Sequence, residues 1–320
     1  MGAKRPDVPA AIKRELRQRC RYGCAICGSP VFDYEHIEGY EVTGHDVEQM
    51  TLLCTKHHRE KTAGRMGVAR VWRAAKDPYN RRQKLAGEHE LYFEGSEFTL
   101  DFGSISFLCS TDLPVSAPVQ VDSEPIIAVR FEDGAVLLDI LIRDADNNPV
   151  LVVRRGELRY ALHHWDVTFE GTQLTIWRGP RDIVLEIQLA PPGKLIVHRA
   201  ELWARGVLLR IGKSCVGGSG IEVANSGLVM EDLVFQNYYT VLAVGDYLGM
   251  EGHAITLPLS ERWWGGVPVR AGTFSRKGGG SRVPFSPLPD ALTTCAYRPF
   301  QSVVPMFAQW SEVERNSSRG

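Results

Sequence analysis

Hydrophobic and polar positions follow different patterns in the two parts of the chain. Over residues 10–22, apolar residues recur at helical spacing among five basic side chains, which predicts an amphipathic helix with a basic side. A short strand over residues 31–37, a turn over residues 39–44 and a helix from Thr55 follow. A further helical pattern ends just before Pro78. These segments predict a β-β-α unit with flanking helices.

The pattern changes after Gly87. Short apolar and β-branched segments alternate with turn residues at intervals of about 8 to 14 residues, which is typical of all-β domains. We therefore predict an α+β protein, with a small module in residues 1–88 and a large, mostly β domain in residues 89–320. Towards the end of the chain, Gly-rich and polar stretches that include Lys277 and Arg282 indicate loops.

The topology of the β domain has two alternatives. Apolar segments within residues 204–212, 218–237 and 239–245 repeat at roughly twenty-residue spacing, as the coils of a β-solenoid would. Alternating hairpins of a β-sandwich would produce much the same pattern. The sequence leaves both arrangements open.

Charge is divided unevenly between the two parts. Residues 1–90 carry 17 basic and 12 acidic side chains, whereas residues 91–320 carry 20 basic and 26 acidic ones. A basic module attracts phosphate, so the charge favours nucleic acid as a partner. The sequence contains no apolar run of the roughly 20 residues that cross a bilayer. Its first residues also lack the apolar core of a signal peptide, so we expect a cytoplasmic protein with no membrane partner.

The spacing of cysteine and histidine predicts a zinc site. Cys24-x-x-Cys27 and Cys54-x-x-His57 are two half-sites that together supply four ligands, the number that tetrahedral zinc takes. Metal binding and folding of such a module become one free-energy change, because its core is too small to fold unaided. We expect these four residues to hold a structural Zn²⁺.

The segment between and beyond these half-sites has a family resemblance. Glu35-His36-Ile37 fits an acidic-His-Ile step on a strand, while Leu53-Cys54, His58 and Lys61-Thr62 fit the end of the same motif. Residues 15–65 thus resemble the HNH, or ββα-metal, nuclease family. The resemblance covers about one-fifth of the chain.

Two positions depart from the family's pattern. The fourth zinc ligand is His57 where the family more often has Cys, which is a mild change because imidazole is a standard zinc ligand. Gln49 stands where the family has an Asn that orients the general-base histidine. A Gln side chain offers the same amide on a longer arm.

The resemblance implies a one-metal catalytic site. His36 is the expected general base, because an imidazole with an ordinary pKa of about 6.5 accepts a proton near neutral pH. Glu35 and His58 are expected to hold Mg²⁺ or another divalent cation, and Gln49 to orient His36. Neighbours in a regular strand point to opposite faces. We therefore expect Glu35 and His36 to lie where the strand pleat ends or twists, so that both flank one phosphate.

Other polar residues receive simpler predictions. Residues 163–166 are expected to form a turn and the start of a strand, and His45 to be a solvent-exposed loop histidine. Five basic side chains in and beside the motif are expected to bind nucleic acid: Arg17, Arg21, Lys56, Arg59 and Lys61.

The leading hypothesis is a metal-dependent endonuclease that hydrolyses phosphodiester bonds, in DNA rather than RNA. Its β domain would serve recognition, regulation or assembly, and by analogy the fusion resembles bacterial or phage defence nucleases. One alternative is a zinc-stabilised nucleic-acid-binding module in which Gln49 has abolished cleavage. Another is a β-scaffold protein with an accessory HNH-like domain. A homo-oligomer or a regulatory partner bound through the β domain also stays open.

Overall fold

The computed structural model describes residues 6–122, 124–224, 228–245 and 253–257. Within these ranges the protein is mostly β, and the helices precede the large β region. The loops predicted around Lys277 and Arg282 lie outside the described residues. Among the helices that the structure describes, none is both long enough and apolar enough to span a membrane.

The described part of the N-terminal module contains helices around a two-stranded ribbon. The α-helices are α1 (Ala10–Arg19), α2 (Tyr40–Thr43), α3 (Thr55–Thr62) and α4 (Val68–Lys76). Two 3-10 turns lie at Val47–Gln49 and Tyr79–Arg82. The antiparallel strands are β1 (Asp33–His36) and β2 (Met50–Leu53). The order β1-β2-α3 agrees with the predicted β-β-α order, and a single helical turn, α2, lies where a turn was predicted.

Local sequence explains where the flanking helices begin and end. α1 begins after Pro9, whose restricted φ is compatible with a helix start, and its Leu16 is fully buried. α4 ends before Asp77, which has a φ of -134°. Pro78 disfavours helical backbone at the residue that precedes it, so the helix cannot continue.

The β region forms its strands from short apolar segments. The first ten are β3 (His89–Glu90), β4 (Glu97–Phe102), β5 (Ile105–Ser110), β6 (Val115–Val121), β7 (Glu124–Glu132), β8 (Ala135–Arg143), β9 (Pro149–Arg154), β10 (Glu157–Tyr160), β11 (Asp166–Glu170) and β12 (Gln173–Gly179). The next are β13 (Asp182–Ala190), β14 (Lys194–Ala204), β15 (Val207–Gly212), β16 (Ile221–Val223), β17 (Leu228–Met230), β18 (Val234–Gln236), β19 (Thr240–Val244) and β20 (His253–Leu257).

Most strands pair antiparallel with their neighbours in sequence. β6 to β10 form one meander and β11 to β17 form a second. The meanders meet where Arg143 of β8 pairs with Trp203 of β14. Ile140 from the first meander and Leu195 from the second line the same apolar cavity of about 20 Å³. The two meanders therefore share one core.

The segments that suggested a solenoid do not all pair in the same way: β15 to β17 form hairpins, whereas β18 pairs in parallel with β5 and β19 pairs in parallel with β6 and β20. β15 pairs antiparallel with β16, and β16 pairs antiparallel with β17. Solenoid coils would instead pair in parallel. Parallel pairing does occur where β19 joins β6 and β20, and where β4 joins β14.

Buried polar contacts fix α1 to the β region. The guanidinium of Arg17 donates to both carboxylate oxygens of Asp166 on β11, at 2.9 and 2.6 Å, and to the hydroxyl of Tyr34 at 2.6 Å. The hydroxyl of Tyr160 on β10 donates to the carbonyl of Tyr22, just beyond α1. The module therefore rests on the β region through specific hydrogen bonds as well as apolar contacts.

Candidate functional site

The predicted zinc ligands come from two segments that the fold brings together. Cys24 and Cys27 lie in the turn between α1 and β1, and the N–H of Gly28 closes this turn on the carbonyl of Cys24 at 2.8 Å. Gly28 has a φ of +76°, and a Cβ there would collide with a neighbouring side chain, so only glycine fits. Cys54 occupies the N-cap position of α3 directly after β2, and His57 follows within the first turn of α3.

The four side chains converge on one point, with their ligand atoms within 4.8 Å of one another. Nδ1 of His57 lies 3.4 Å from Sγ of Cys24 and 3.3 Å from Sγ of Cys54, while Sγ of Cys27 lies 3.8 Å from Sγ of Cys54. Tetrahedral zinc bonds would place two sulfurs about 3.8 Å apart and a sulfur and a nitrogen about 3.6 Å apart. In the described part of the chain, this is the one group of three or more such ligands, and its geometry fits a tetrahedral metal ion.

Without a cation, the three thiols hinder one another's ionisation. Hydrogen bonding to Cys27 and Cys54, together with burial, raises the pKa of Cys24. Hydrogen bonds from Cys24 and Cys27 lower the pKa of Cys54. One thiolate therefore forms at the expense of the others, whereas bound Zn²⁺ would stabilise three thiolates together.

His58, the next residue along α3, contacts a carboxylate of β1. Its Nε2 lies 3.1 Å from Oε2 of Glu35, and its Nδ1 lies 3.6 Å from Oδ2 of Asp33. Two adjacent ligands of an octahedral ion with bonds of about 2.1 Å lie about 3.0 Å apart. Glu35 and His58 thus have the separation that two ligands of one divalent cation need, although the remaining coordination positions would fall to water or substrate.

Lys61 neutralises the carboxylate of Glu35. Its Nζ donates to Oε1 of Glu35 and, at 2.9 Å, to the backbone carbonyl of His36. The side chain of Glu35 is only 9% exposed and that of Lys61 only 14%, so this ion pair is largely shielded from water. Lys61 is therefore part of the site, whereas the sequence had assigned it to nucleic-acid binding.

His36 lies in a chain of imidazoles. Its Nε2 is 3.1 Å from Nδ1 of His45, and Nε2 of His45 is 3.1 Å from the carbonyl oxygen of Pro6. A carbonyl can only accept, so a neutral His45 donates from Nε2 and accepts at Nδ1. His36 then donates from Nε2, which leaves the lone pair of its neutral ring on Nδ1. The ring of Tyr40 packs edge-on against His36, with centroids 5.4 Å apart.

Gln49 lies close to His36 without bonding its ring. It is the last residue of a 3-10 turn, and its carbonyl accepts the N–H of Ile37 at 2.9 Å, directly beyond His36. Within the described residues, the side chain of Gln49 forms no hydrogen bond to His36, whereas the ring of His45 does. His45 is half-buried, so the prediction of a solvent-exposed loop histidine was wrong.

β1 pairs regularly with β2 through both candidate residues. Glu35 lies opposite Thr51 and His36 opposite Met50, without a register shift. Their side chains therefore leave opposite faces of the ribbon, Glu35 towards α3 and His36 towards α2. Regular pairing through both residues counts against the expectation that the pleat changes there, although β1 does end immediately after His36.

The other predicted nucleic-acid contacts fall into two groups. Arg21, Lys56 and Arg59 are exposed, so they are available to a ligand. Arg17 is only 6% exposed and is held by Asp166, so its assignment to nucleic-acid binding was wrong. A guanidinium that is paired on both carboxylate oxygens cannot also reach a phosphate.

No protein-family model, no curated protein and no solved structure matches the chain.

Two important partners were not predicted from the sequence. His45 is nine residues from His36, a spacing with no established ligand or catalytic pattern, and the contact depends on how the loop after β1 folds back. Asp166 is 149 residues from Arg17, and was assigned only to a strand start. No pattern in the sequence around these residues indicates that His36 contacts His45 or that Arg17 pairs with Asp166.

Proposed function

We propose that the chain is a metal-dependent endonuclease whose catalytic site lies on β1 and α3. The observation that carries this proposal is the pair of adjacent histidines on α3: His57 joins the three cysteines, while His58 lies 3.1 Å from Glu35. Successive helical side chains diverge by about 100°, which lets one short helix serve two metal groups. This combination is the one that the HNH resemblance implies for a zinc-stapled ββα module.

The residues of the chain would divide the chemistry of phosphodiester hydrolysis. His36 would accept a proton from water at Nδ1 while the water oxygen forms a bond to phosphorus. The bond between phosphorus and the leaving oxygen then breaks, and that oxygen takes a proton from solvent. A divalent cation held by Glu35 and His58 would stabilise the negative charge on the phosphate and the leaving oxygen.

His45 supports this assignment because its hydrogen bond selects the tautomer of His36. The carbonyl of Pro6 sets the tautomer of His45, and His45 sets that of His36, so the basic nitrogen is the one that faces away from His45. Glu35 and His36 leave opposite faces of β1, so the substrate phosphate would lie across the end of this strand. Lys61 links the two positions there.

The remaining assignments extend the same proposal. Structural Zn²⁺ would occupy the cysteine group, and the cytoplasm, where thiols stay reduced, suits such a site. We propose DNA as the substrate and a defence role by analogy with other HNH fusions. The β region, whose two meanders share one apolar core, would recognise the target or regulate cutting.

Cleavage assays on three substrates test the proposal. Zinc-replete full-length protein is incubated with plasmid, single-stranded DNA and RNA, with Mg²⁺, with Mn²⁺ or without a divalent cation. We expect cleavage of DNA only with a divalent cation, because the ion that Glu35 and His58 would hold is what compensates the negative charge on the phosphate. Binding without cutting under every metal condition would overturn the proposal in favour of a zinc-stabilised binding module.

A further inference from the structure

A basic cleft lies where the N-terminal module meets the β region. Its two lobes, with volumes of about 600 and 580 Å³, share Arg21 and Arg81 among their lining residues. Arg19 lines the first lobe, while Lys84 and Arg143 line the second. No Asp or Glu is among the described residues that line either lobe, although the chain has 38 acidic side chains.

Three arginines in the cleft have no carboxylate partner among the described ion pairs. Each has one described side-chain hydrogen bond, to a backbone carbonyl: Arg21 to Leu162 at 3.4 Å, Arg81 to Lys76 at 3.1 Å, and Arg143 to Asn147 at 3.4 Å. A guanidinium has five N–H donors, so most of the donors of each arginine remain for a ligand. Elsewhere, Arg17, Arg130 and Arg178 each pair with a carboxylate.

The walls of the cleft are held by their own hydrogen bonds. Asp144, which lies 3.6 Å from the lining residue His163, accepts the N–H groups of Asp146 and Asn148 at 3.0 and 2.8 Å and thus braces the turn beside Arg143. At the floor, Asn80 is 1% exposed and donates to the carbonyl of Arg21 at 2.9 Å. The arginines therefore project from a scaffold that is already ordered.

We propose that this cleft binds the phosphodiester backbone of a nucleic-acid strand. The cations are spread over two joined lobes, which suits a ligand with several phosphates in a row better than a single anion. Arginine forks match phosphate oxygens, and exposed amides such as Gln83 supply further donors. Because Arg143 belongs to β8, the β region takes part directly in holding the strand.

This inference rests on the proposed function for the identity of its ligand, but its test measures binding rather than cleavage. Full-length protein is titrated onto a short fluorescent DNA duplex, without added divalent cation and without chelator, across a range of salt concentrations. The variant R81A/R143A should weaken binding about tenfold or more. It should also lower the slope of log Kd against log salt by about 1.8, because two phosphate contacts are lost.

The matched control, R73A/R181A, removes one exposed arginine from each part of the chain outside the cleft and should change the slope by well under one. Gln83→Glu keeps every arginine and should weaken binding through repulsion. Equal weakening by R81A/R143A and the control would overturn the proposal, as would duplex binding that R81A/R143A leaves unchanged. Displacement of the DNA from the protein by polyglutamate of matched charge would also overturn the proposal. So would a protein whose cleft binds mononucleotides but not the duplex.

The two proposals can fail separately. A protein that binds DNA through the cleft but never cuts it upholds this inference and sinks the nuclease. A protein that cuts DNA, but whose DNA binding R81A/R143A leaves unchanged, supports the nuclease and contradicts this inference.

Discussion

At the scale of single residues, the position of one proton on each imidazole decides what the candidate site can do. The carbonyl of Pro6 can only accept, so with neutral rings the hydrogen-bond chain through His45 makes Nε2 of His36 a donor, and we propose Nδ1 as the base. Gln49 contacts the residue that follows His36 through its backbone: its carbonyl accepts the N–H of Ile37. His45 is therefore the positioning residue in this account.

Substitution of His45 should affect catalysis more than substitution of Gln49. We expect His45→Ala to lower kcat about 10- to 100-fold and to shift the acid limb of the pH–rate profile, because the tautomer of His36 is no longer fixed. His45→Asn, which keeps an acceptor, should recover part of the rate. Gln49→Ala should change kcat less than about threefold. A larger loss from Gln49→Ala than from His45→Ala would contradict this assignment.

His164 gives the protein a pH-dependent component of stability. Burial, and then the charge of His163, lowers the pKa of His164 to about 4. The unfolded chain binds this proton near pH 6.5, so the contribution of His164 is present above that pH and is lost as pH falls towards 4. In denaturant titrations, the unfolding free energy should fall less between pH 7 and pH 4 in His164→Gln than in the native protein. The difference should be up to about 3 kcal/mol. The exposed His163 is the control: an equal effect of His163→Gln would refute the burial argument.

At the scale of elements, a metal ion bound by Cys24, Cys27, Cys54 and His57 would hold α3 to the turn that follows α1. The module has only small apolar clusters of its own, one of which includes Cys24, Leu53 and Val71. Metal binding can therefore supply a large part of the folding free energy of this unit.

Metal analysis with single substitutions tests that role. We expect about one zinc per chain in the native protein, and loss of the zinc in Cys54→Ser together with rapid proteolysis of the N-terminal module. Cys215→Ser is the matched control, because Cys215 is a buried cysteine of the β region outside the cluster. A native protein without bound metal, or a Cys54→Ser variant with full zinc content, would refute the four-ligand site.

The sequence predicted the elements whose formation depends on neighbouring residues. Pro78 ends a helix through its immediate neighbour, and the half-sites Cys24–Cys27 and Cys54–His57 depend on spacing within a turn, so the sequence was sufficient. Strand pairing depends on partners far along the chain, as when Lys194–Val197 pairs in parallel with Thr99–Phe102. No local pattern encodes that choice, which is why sandwich and solenoid could not be separated from the sequence.

The same distinction applies within the site. The HNH resemblance implied that Glu35 and His58 hold one metal ion, and their side chains lie 3.1 Å apart. The burial of Arg17 could not be anticipated, because a basic residue on an amphipathic helix is ordinarily solvated. The guanidinium of Arg17 has a buried partner only because the fold places Asp166 of β11 beside α1.

At the scale of the whole molecule, the Arg17–Asp166 pair connects the module to the β region. Removal of one member leaves a buried charge uncompensated, so Arg17→Met should lower the unfolding free energy by about 3–5 kcal/mol in denaturant titrations. Arg14 lies 3.5 Å from the same carboxylate but is 45% exposed, and Arg14→Met should cost about 1 kcal/mol or less. The combined variant R17M/D166L should lose less than Arg17→Met alone. Equal costs for Arg14→Met and Arg17→Met would contradict the buried pair.

The central claim is that His36 acts as the general base of a nuclease, and the rate of plasmid cleavage under Mg²⁺ tests it most directly. The comparison is between native protein, His36→Ala and the control His198→Ala, a half-buried histidine of β14 that bonds Gln188. The account predicts that His36→Ala loses about 100-fold or more in rate while folding and zinc content persist, and that His198→Ala cuts like the native protein. Undiminished cleavage by His36→Ala would contradict it.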